Sequence, residues 1–246
     1  MGAVWQRLYD NDEGFLDAYG RFWRRVAARF KAHPAVIAYE VLNEPWYGEV
    51  PLKKGGFRRF PFLNDDVAQL PAHADRANLA RMNRAVHDAV RVEDDRTVLL
   101  FEPGAGGAQQ ITSAGFTEGP GGPAYDGKQA YAYHMYCFRS VNSHRKGWNP
   151  PEDLSWWQRR LRIAGCEARA RFRTWLGARD AKRAGAGAAF VTEFGDVNND
   201  EVGLAALRAS VHGMARHGHS WTVRTRTQRP PEAPRERERK TDRSRT

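Results

Sequence analysis

Apolar positions along the chain alternate between two spacings. From Asn11 to Lys31, the residues Phe15, Ala18, Tyr19, Phe22, Val26 and Phe30 recur at helical intervals, which predicts an amphipathic helix with that stripe turned inward. After His33-Pro34 the pattern becomes a short continuous run, Val36-Ile37-Ala38-Tyr39-Glu40-Val41-Leu42, of strand length and composition. The run stops at Asn43-Glu44-Pro45-Trp46, because Pro45 has no N–H for a sheet ladder, so Asn43 and Glu44 are expected at the strand's C-terminal tip. A long loop rich in Gly, Pro and aromatics follows, from Tyr47 to Ala72, and loops of that length usually carry function or lack order. Asp75 to Arg91 then reads as a helix through Leu79, Met82, Ala85, Val86, Ala89 and Val90.

The same design then repeats. Arg96 to Pro103 is an apolar strand ending in Glu102-Pro103, and a Gly-rich loop leads to a third strand, Ala130 to Tyr136. A helix is expected from Pro151 to Arg183 with a break near Gly165, then a strand from Ala188 to Gly195 and a helix from Asp200 to His217. A fifth strand begins at Ser220-Trp221-Thr222-Val223. Helices alternating with near-continuous apolar strands imply an α/β fold with a parallel sheet covered by helices. Strands that all end in polar residues suit a (β/α)8 TIM barrel, whose chemistry lies at the C-terminal face. A doubly wound sheet fits less well, since no Gly-rich phosphate turn follows a strand. About five of the eight strands of such a barrel are legible.

Composition narrows the functional classes. Of 246 residues, 41% are hydrophobic and 11% aromatic, enough for a sizeable core. The net charge of +10 suggests nucleic acid at first sight, but residues 224–246 hold nine Lys or Arg against four Asp or Glu, half of the excess. The chain therefore divides into a partial barrel over 1–223 and a basic, disordered tail over 224–246. No motif reads bases, so no specific nucleic-acid partner is expected. Cys137 and Cys166 make at most one disulfide and no metal framework. No stretch approaches the length of a membrane span, and the first residues lack an apolar signal core.

Three strand tips supply candidate chemistry: Asn43-Glu44, His134 with Tyr136, and Glu193. Hydrolysis of a glycosidic bond with retention needs two carboxyls about 5–5.5 Å apart, one protonated to leave with the aglycone oxygen and one ionised to attack the anomeric carbon. Glutamates 149 residues apart in sequence can face each other at converging barrel strands. Each candidate also has a structural reading. A Glu ending a strand can cap a helix or pair with a loop arginine, and Glu102 is read that way. His134 alone reads as a core histidine. Trp156, Trp157 and Trp175 are read as core. Trp221 reads equally as core or as a sugar-stacking platform. His212, His217 and His219 more readily end a helix than bind metal, so no metal site is expected.

Ala38-Tyr39-Glu40-Val41-Leu42-Asn43-Glu44-Pro45-Trp46 resembles the Asn-Glu-Pro signature of glycoside hydrolase family 5, and Thr192-Glu193-Phe194-Gly195 resembles its second signature. The resemblance implies that Glu44 is the general acid/base, Glu193 the nucleophile, and Asn43 a ligand of the sugar 2-hydroxyl. His134 and Tyr136 match the family's His-x-Tyr. Tyr136 would orient Glu193, and His134 would contact substrate or support the acid/base. Trp46 and Trp221 join the expected substrate-binding residues. Asn43-Glu44-Pro45-Trp46 with Gly48, Ala74 to Leu79, Phe101-Glu102-Pro103, Gly115-Phe116-Thr117 and Tyr133 to Cys137 resemble the endoglycoceramidase branch, in the expected order. That branch implies cleavage between oligosaccharide and ceramide in glycosphingolipids, no cofactor, peripheral contact with lipid, and a secreted or endomembrane setting.

The chain departs from the family in two places. Its first helix and strand resemble the third helix and fourth strand of the family, so strands one to three, with an arginine and an aspartate-histidine pair, have no counterpart. From Val223-Arg224-Thr225-Arg226 the sequence turns polar and arginine-rich, which a frameshift, a retained intron or a misplaced gene boundary would explain. Competing readings are a β-glucanase, mannanase or glucosylceramidase of the same family, an inactive fragment, and a basic binding module acting through its tail. Phe57, Phe60, Phe62 and Leu63 lean toward a lipid-linked substrate.

Overall fold

The computed structural model describes residues 2–49, 72–104, 113–137, 154–197 and 199–224. A first helix, α1 (Gly2–Tyr9), precedes a short 3-10 turn (Asp12–Gly14) and α2 (Phe15–Phe30). Then come β1 (Ala38–Glu40), a π-helical turn (Asp75–Leu79) running into α3 (Ala80–Arg91), and β2 (Val98–Phe101). A 3-10 turn (Pro123–Lys128) leads into β3 (Gln129–Met135), followed by α4 (Trp156–Arg183), β4 (Ala188–Gly195), α5 (Glu201–His217) and β5 (Ser220–Arg224).

The five strands form one sheet in sequence order, β1-β2-β3-β4-β5, and every pairing is parallel. This is five strands of the eight-stranded (β/α) barrel. Parallel strands need crossover connections, which the helices provide on one side. The larger core lies on that side, where Tyr39, Leu99, Phe101, Tyr131, Tyr133 and Val191 meet Leu16, Met82, Val86 and Met214. A smaller apolar layer of Ala38, Val98, Leu100, Ala130, Ala132 and Phe190 covers the opposite face. Period-two alternation then brings Glu40, Glu102 and His134 onto that second face, one step beyond the small apolar layer.

Several expectations shift. In α2 the inward face is Leu16, Gly20 and Ala27, with Tyr19 and Trp23 half-buried, whereas Phe15, Phe22 and Phe30 are exposed. Gly20 sits there because α3 approaches it closely, with Ala89 Cβ 3.6 Å from where its own Cβ would stand. Helix α4 runs unbroken through Gly165. Trp156, Trp157 and Trp175, expected in the core, are 74%, 52% and 46% exposed, because α4 turns Cys166, Ala170, Arg173 and Thr174 inward instead. The loop residues Phe57, Phe60, Phe62 and Leu63 lie outside the described residues, as does the tail beyond Arg224. No helix of the described residues is long and apolar enough to cross a membrane.

The chain leaves α5 through Gly218, whose φ of 67° is left-handed, and this places His219 beneath β3. His219 is buried, and its Nδ1 lies 2.9 Å from the Tyr133 hydroxyl. Burial, reinforced by the neighbouring His217, lowers the ring to about 4, so it is neutral in the folded state. The unfolded chain takes up this proton first, so the ring's contribution to stability is complete above the ordinary histidine range near 6.5 and is lost as pH falls toward 4. Urea midpoints at pH 7 and pH 5 should therefore drop more in the parent than in His219→Gln.

Candidate active site

Glu44 lies four residues beyond the end of β1, in a segment held from two sides. Tyr9 of α1 donates its hydroxyl to the Trp46 carbonyl, and Asn78 of the π-helical turn donates to the Tyr47 carbonyl at 2.8 Å. Gln6 accepts from the Glu49 N–H at 3.0 Å. Glu44 itself has φ 44°, a left-handed backbone that costs a non-glycine residue on the order of 1–2 kcal/mol. Its N–H donates to Glu102 Oε2 at 2.9 Å. Such strain persists where surrounding contacts fix it, and it concentrates at functional sites.

Glu193 is aimed by an irregularity in β4. Phe190 faces the small apolar layer and Thr192 follows it by alternation, which would turn Glu193 toward the helices. The β3–β4 register slips at this point, so that Tyr133 pairs with Val191 but His134 pairs with Glu193. The bulge brings Glu193 onto the same face as His134. The Tyr136 hydroxyl donates to Glu193 Oε2 at 2.6 Å, and Arg224 Nη1 approaches the same oxygen at 3.3 Å. Burial, then the bond to Glu193, keeps the Tyr136 phenol strongly protonated.

His134 joins the two glutamates. Its ring is fully buried, with Nδ1 2.9 Å from Glu44 Oε1 and 3.8 Å from Glu193 Oε2, and Nε2 3.1 Å from Glu102 Oε1. Burial alone would keep the ring neutral. The bond and charge of Glu102 outweigh it, aided by Glu44 and Glu193, and raise the ring to about 9. Glu44 and Glu193 are 40% and 27% exposed, so both can meet a substrate although the histidine between them cannot.

The structure therefore brings Glu44, His134, Tyr136 and Glu193 into one connected set. Asn43 is exposed. Trp46 is 39% exposed beside Glu44, its ring 5.8 Å from that of Tyr47. Trp221 is 45% exposed, pairs with Val191, and meets Phe194 edge-on at 5.4 Å, so its contact is with the helix-side core. Sequence reasoning missed Glu40 and took Glu102 for a cap or surface ion pair. Glu102 is instead buried, accepts the Glu44 N–H and forms an ion pair with His134. It also missed Arg173, a buried α4 residue whose Nη2 donates to the His134 carbonyl at 2.8 Å.

Known proteins share this fold. The model of the cellulase family, glycosyl hydrolase family 5, matches residues 3–225. This chain belongs to that family. The family-5 chain is 34% identical over 134 residues to an endoglycoceramidase of Cyanea nozakii, covering 54% of itself and 24% of the relative. It is 36% identical over 135 residues to an endoglycoceramidase of Hydra vulgaris, covering 55% and 23%. Among solved structures, endo-glycoceramidase II from Rhodococcus sp., captured as a lactosyl-enzyme intermediate, superposes with a TM-score of 0.60 at 22% identity, over 90% of this chain and 41% of that one. That likeness shows the fold. The family-5 chain thus spans well under half the length of these relatives.

A covalent clamp lies next to the site. Cys137 follows Tyr136 directly and is disulfide-bonded to Cys166 of α4, with Cα atoms 5.6 Å apart. The bond ties the end of β3, and with it the residue that holds Glu193, to a helix. It closes a loop with a sequence separation of 29, which constrains the unfolded chain by roughly 3–4 kcal/mol in the loop-entropy account. Denaturant melts with and without a thiol reductant should differ by up to about that amount, and Cys166→Ser should abolish the difference.

Proposed function

We propose that this chain acts as a retaining endo-β-glycosidase that cleaves the oligosaccharide–ceramide bond of glycosphingolipids by double displacement. The observation that carries the retaining mechanism is the single imidazole nitrogen of His134, within 2.9 Å of Glu44 and 3.8 Å of Glu193. Two carboxylates flanking one nitrogen favour the retaining separation of about 5–5.5 Å over the inverting one of about 6.5–9.5 Å. Glu193, held by Tyr136, attacks the anomeric carbon, while Glu44 gives its proton to the glycosidic oxygen and the lipid alcohol leaves. Glu44 then takes a proton from water, which attacks the anomeric carbon and releases Glu193.

The substrate class rests on the endoglycoceramidase relatives. Within this proposal Asn43 binds the sugar 2-hydroxyl, and of the two tryptophans Trp46, which follows the acid/base by two residues, is the better placed to stack on a sugar. The catalytic part runs one residue past the expected boundary at 223, because Arg224 ends β5 and approaches Glu193; peripheral contact with a lipid surface belongs to the same proposal. A β-glucan substrate is the second reading, favoured by a TM-score of 0.55 to an endoglucanase at 14% identity, although that likeness extends to the fold alone.

Release of intact oligosaccharide from a fluorescent glycosphingolipid in detergent tests the proposal. Glu193→Gln and Glu44→Gln should each lower turnover by at least about a thousandfold, since each removes a group that acts directly on the bond being broken. Turnover on a β-glucan but not on the glycolipid would move the chain to the second reading. Equal turnover in parent and variants would reject the site.

A further inference from the structure

The carboxylate of Glu102 bridges two different parts of the site. Its Oε2 accepts the N–H of Glu44 at 2.9 Å, and its Oε1 stands 3.1 Å from His134 Nε2. The other ring nitrogen, Nδ1, is 2.9 Å from Glu44 Oε1. A neutral imidazole has one N–H, whereas here both nitrogens face a carboxylate oxygen, an arrangement that suits a ring carrying two. Behind this pair lies Glu40, one strand over, with Glu40, Glu102 and His134 each offering an atom within 4.8 Å of the others. Glu102 and His134 are buried, and His134 Nε2 and Glu102 Oε1 meet as an ion pair, neither atom having a hydrogen-bond partner among the described residues.

Two buried carboxyls this close do not both ionise readily. Burial, then the bond to Glu102, raises Glu40 to about 7, so Glu40 takes up a proton near neutrality. Thr192 of β4 stands beside Glu40 and opposes that shift. A protonated Glu40 adds no second negative charge beside Glu102, which lowers the cost of packing the two carboxyls against the His134 ring. Among the described residues the other groups near the ring are Glu193 from β4, with Tyr136 and Arg224 bonded to it, and Arg173 from α4, whose Nη2 donates to the His134 carbonyl.

We propose that Glu102, backed by Glu40, is a positioning residue for the acid/base. It ties the strained Glu44 backbone and the His134 ring to one carboxylate, so that the ring keeps both protons and donates one to Glu44. This rests on the reading of Glu44 as the acid/base. The ring's N–H fixes Glu44 Oε1 and leaves Oε2 to meet the glycosidic oxygen. It also steadies the glutamate's charge after the proton has left with the lipid alcohol. Substitution to glutamine isolates the role, because a Gln side chain still accepts from the Glu44 N–H but no longer balances a charged ring.

The ring nitrogens of the 15N-histidine-labelled chain can be followed by NMR between pH 5 and 10, with His134 assigned by difference from His134→Asn and His219 serving as the marker of an intact fold. In the parent, His134 should be an imidazolium at pH 7.5, both nitrogens protonated, with a midpoint near 9. In Glu102→Gln the midpoint should fall by about two pH units, since one charge partner is lost. Glu40→Gln should leave the ring charged. A His134 that titrates near the ordinary value in the parent, an unchanged midpoint in Glu102→Gln, or a nitrogen shifted by added Zn2+ at pH 7.5 as a metal ligand would each overturn the proposal. In glycolipid turnover, Glu102→Gln should lower kcat about tenfold or more with KM little changed, and should move the alkaline limb of the pH profile down with the ring. An inactive parent would count against the proposed function alone, because the ring titration is read without turnover.

Discussion

His134 is fully buried yet faces carboxylates on both ring nitrogens, and most of the site follows from how the chain holds that arrangement. A charged ring removed from water is costly unless opposite charge and hydrogen bonds replace the solvent. Glu102 and Glu44 face the two ring nitrogens directly, while Glu193 stands 3.8 Å away. These groups come from the ends of four neighbouring strands. They meet only because β1 to β4 lie side by side in sequence order and all point the same way. The sheet topology is thus a precondition of the electrostatics, and the small apolar layer of Ala38, Leu100, Ala130 and Ala132 beneath them leaves room for the polar cluster to converge.

Supports outside the sheet hold each participant in place. Glu44 sits in a left-handed backbone that α1 and the π-helical turn brace through Tyr9, Gln6 and Asn78. The same turn carries Asp75, fully buried, whose two oxygens accept the N–H groups of Gly104 and Gly115 and so fix both ends of the loop after β2. On the far side, Arg173 and the Cys137–Cys166 bond anchor the end of β3 to α4. The edges are less supported: β5 is exposed along its whole length, and Phe15, Phe22 and Ile37 are exposed near β1. In a closed barrel such edges are paired, and this chain corresponds to 41% of the solved relative.

Much of this was legible in the residues. Apolar runs stopping at Asn43-Glu44-Pro45, Glu102-Pro103 and Glu193-Phe194-Gly195 located the strands and the face where the chemistry lies. What escaped depended on tertiary facts. The bulge at Thr192 leaves no local mark, so alternation alone would have aimed Glu193 at the helices. Helical periodicity placed α2 correctly but turned it by one residue, because Phe15, Phe22 and Phe30 outweigh Leu16, Gly20 and Ala27 in hydrophobicity although Gly20 and Ala27 allow close packing. The tryptophans of α4 misled for the same reason. Glu102 was dismissed as an ordinary strand-end carboxylate, and Glu40 passed unnoticed. A charged residue inside an otherwise apolar run, Ala38-Tyr39-Glu40-Val41-Leu42, was the available signal that something buried would need it.

In the proposed double displacement Glu193 forms a covalent bond to the sugar. Incubation with a 2-deoxy-2-fluoro β-glycoside bearing a good leaving group, followed by proteolysis and mass spectrometry, reads this directly. The expected result is one added sugar mass on the peptide containing Glu193, absent from Glu193→Gln. A label on Glu44 or elsewhere, or no label on a chain that hydrolyses the glycolipid, would contradict the account.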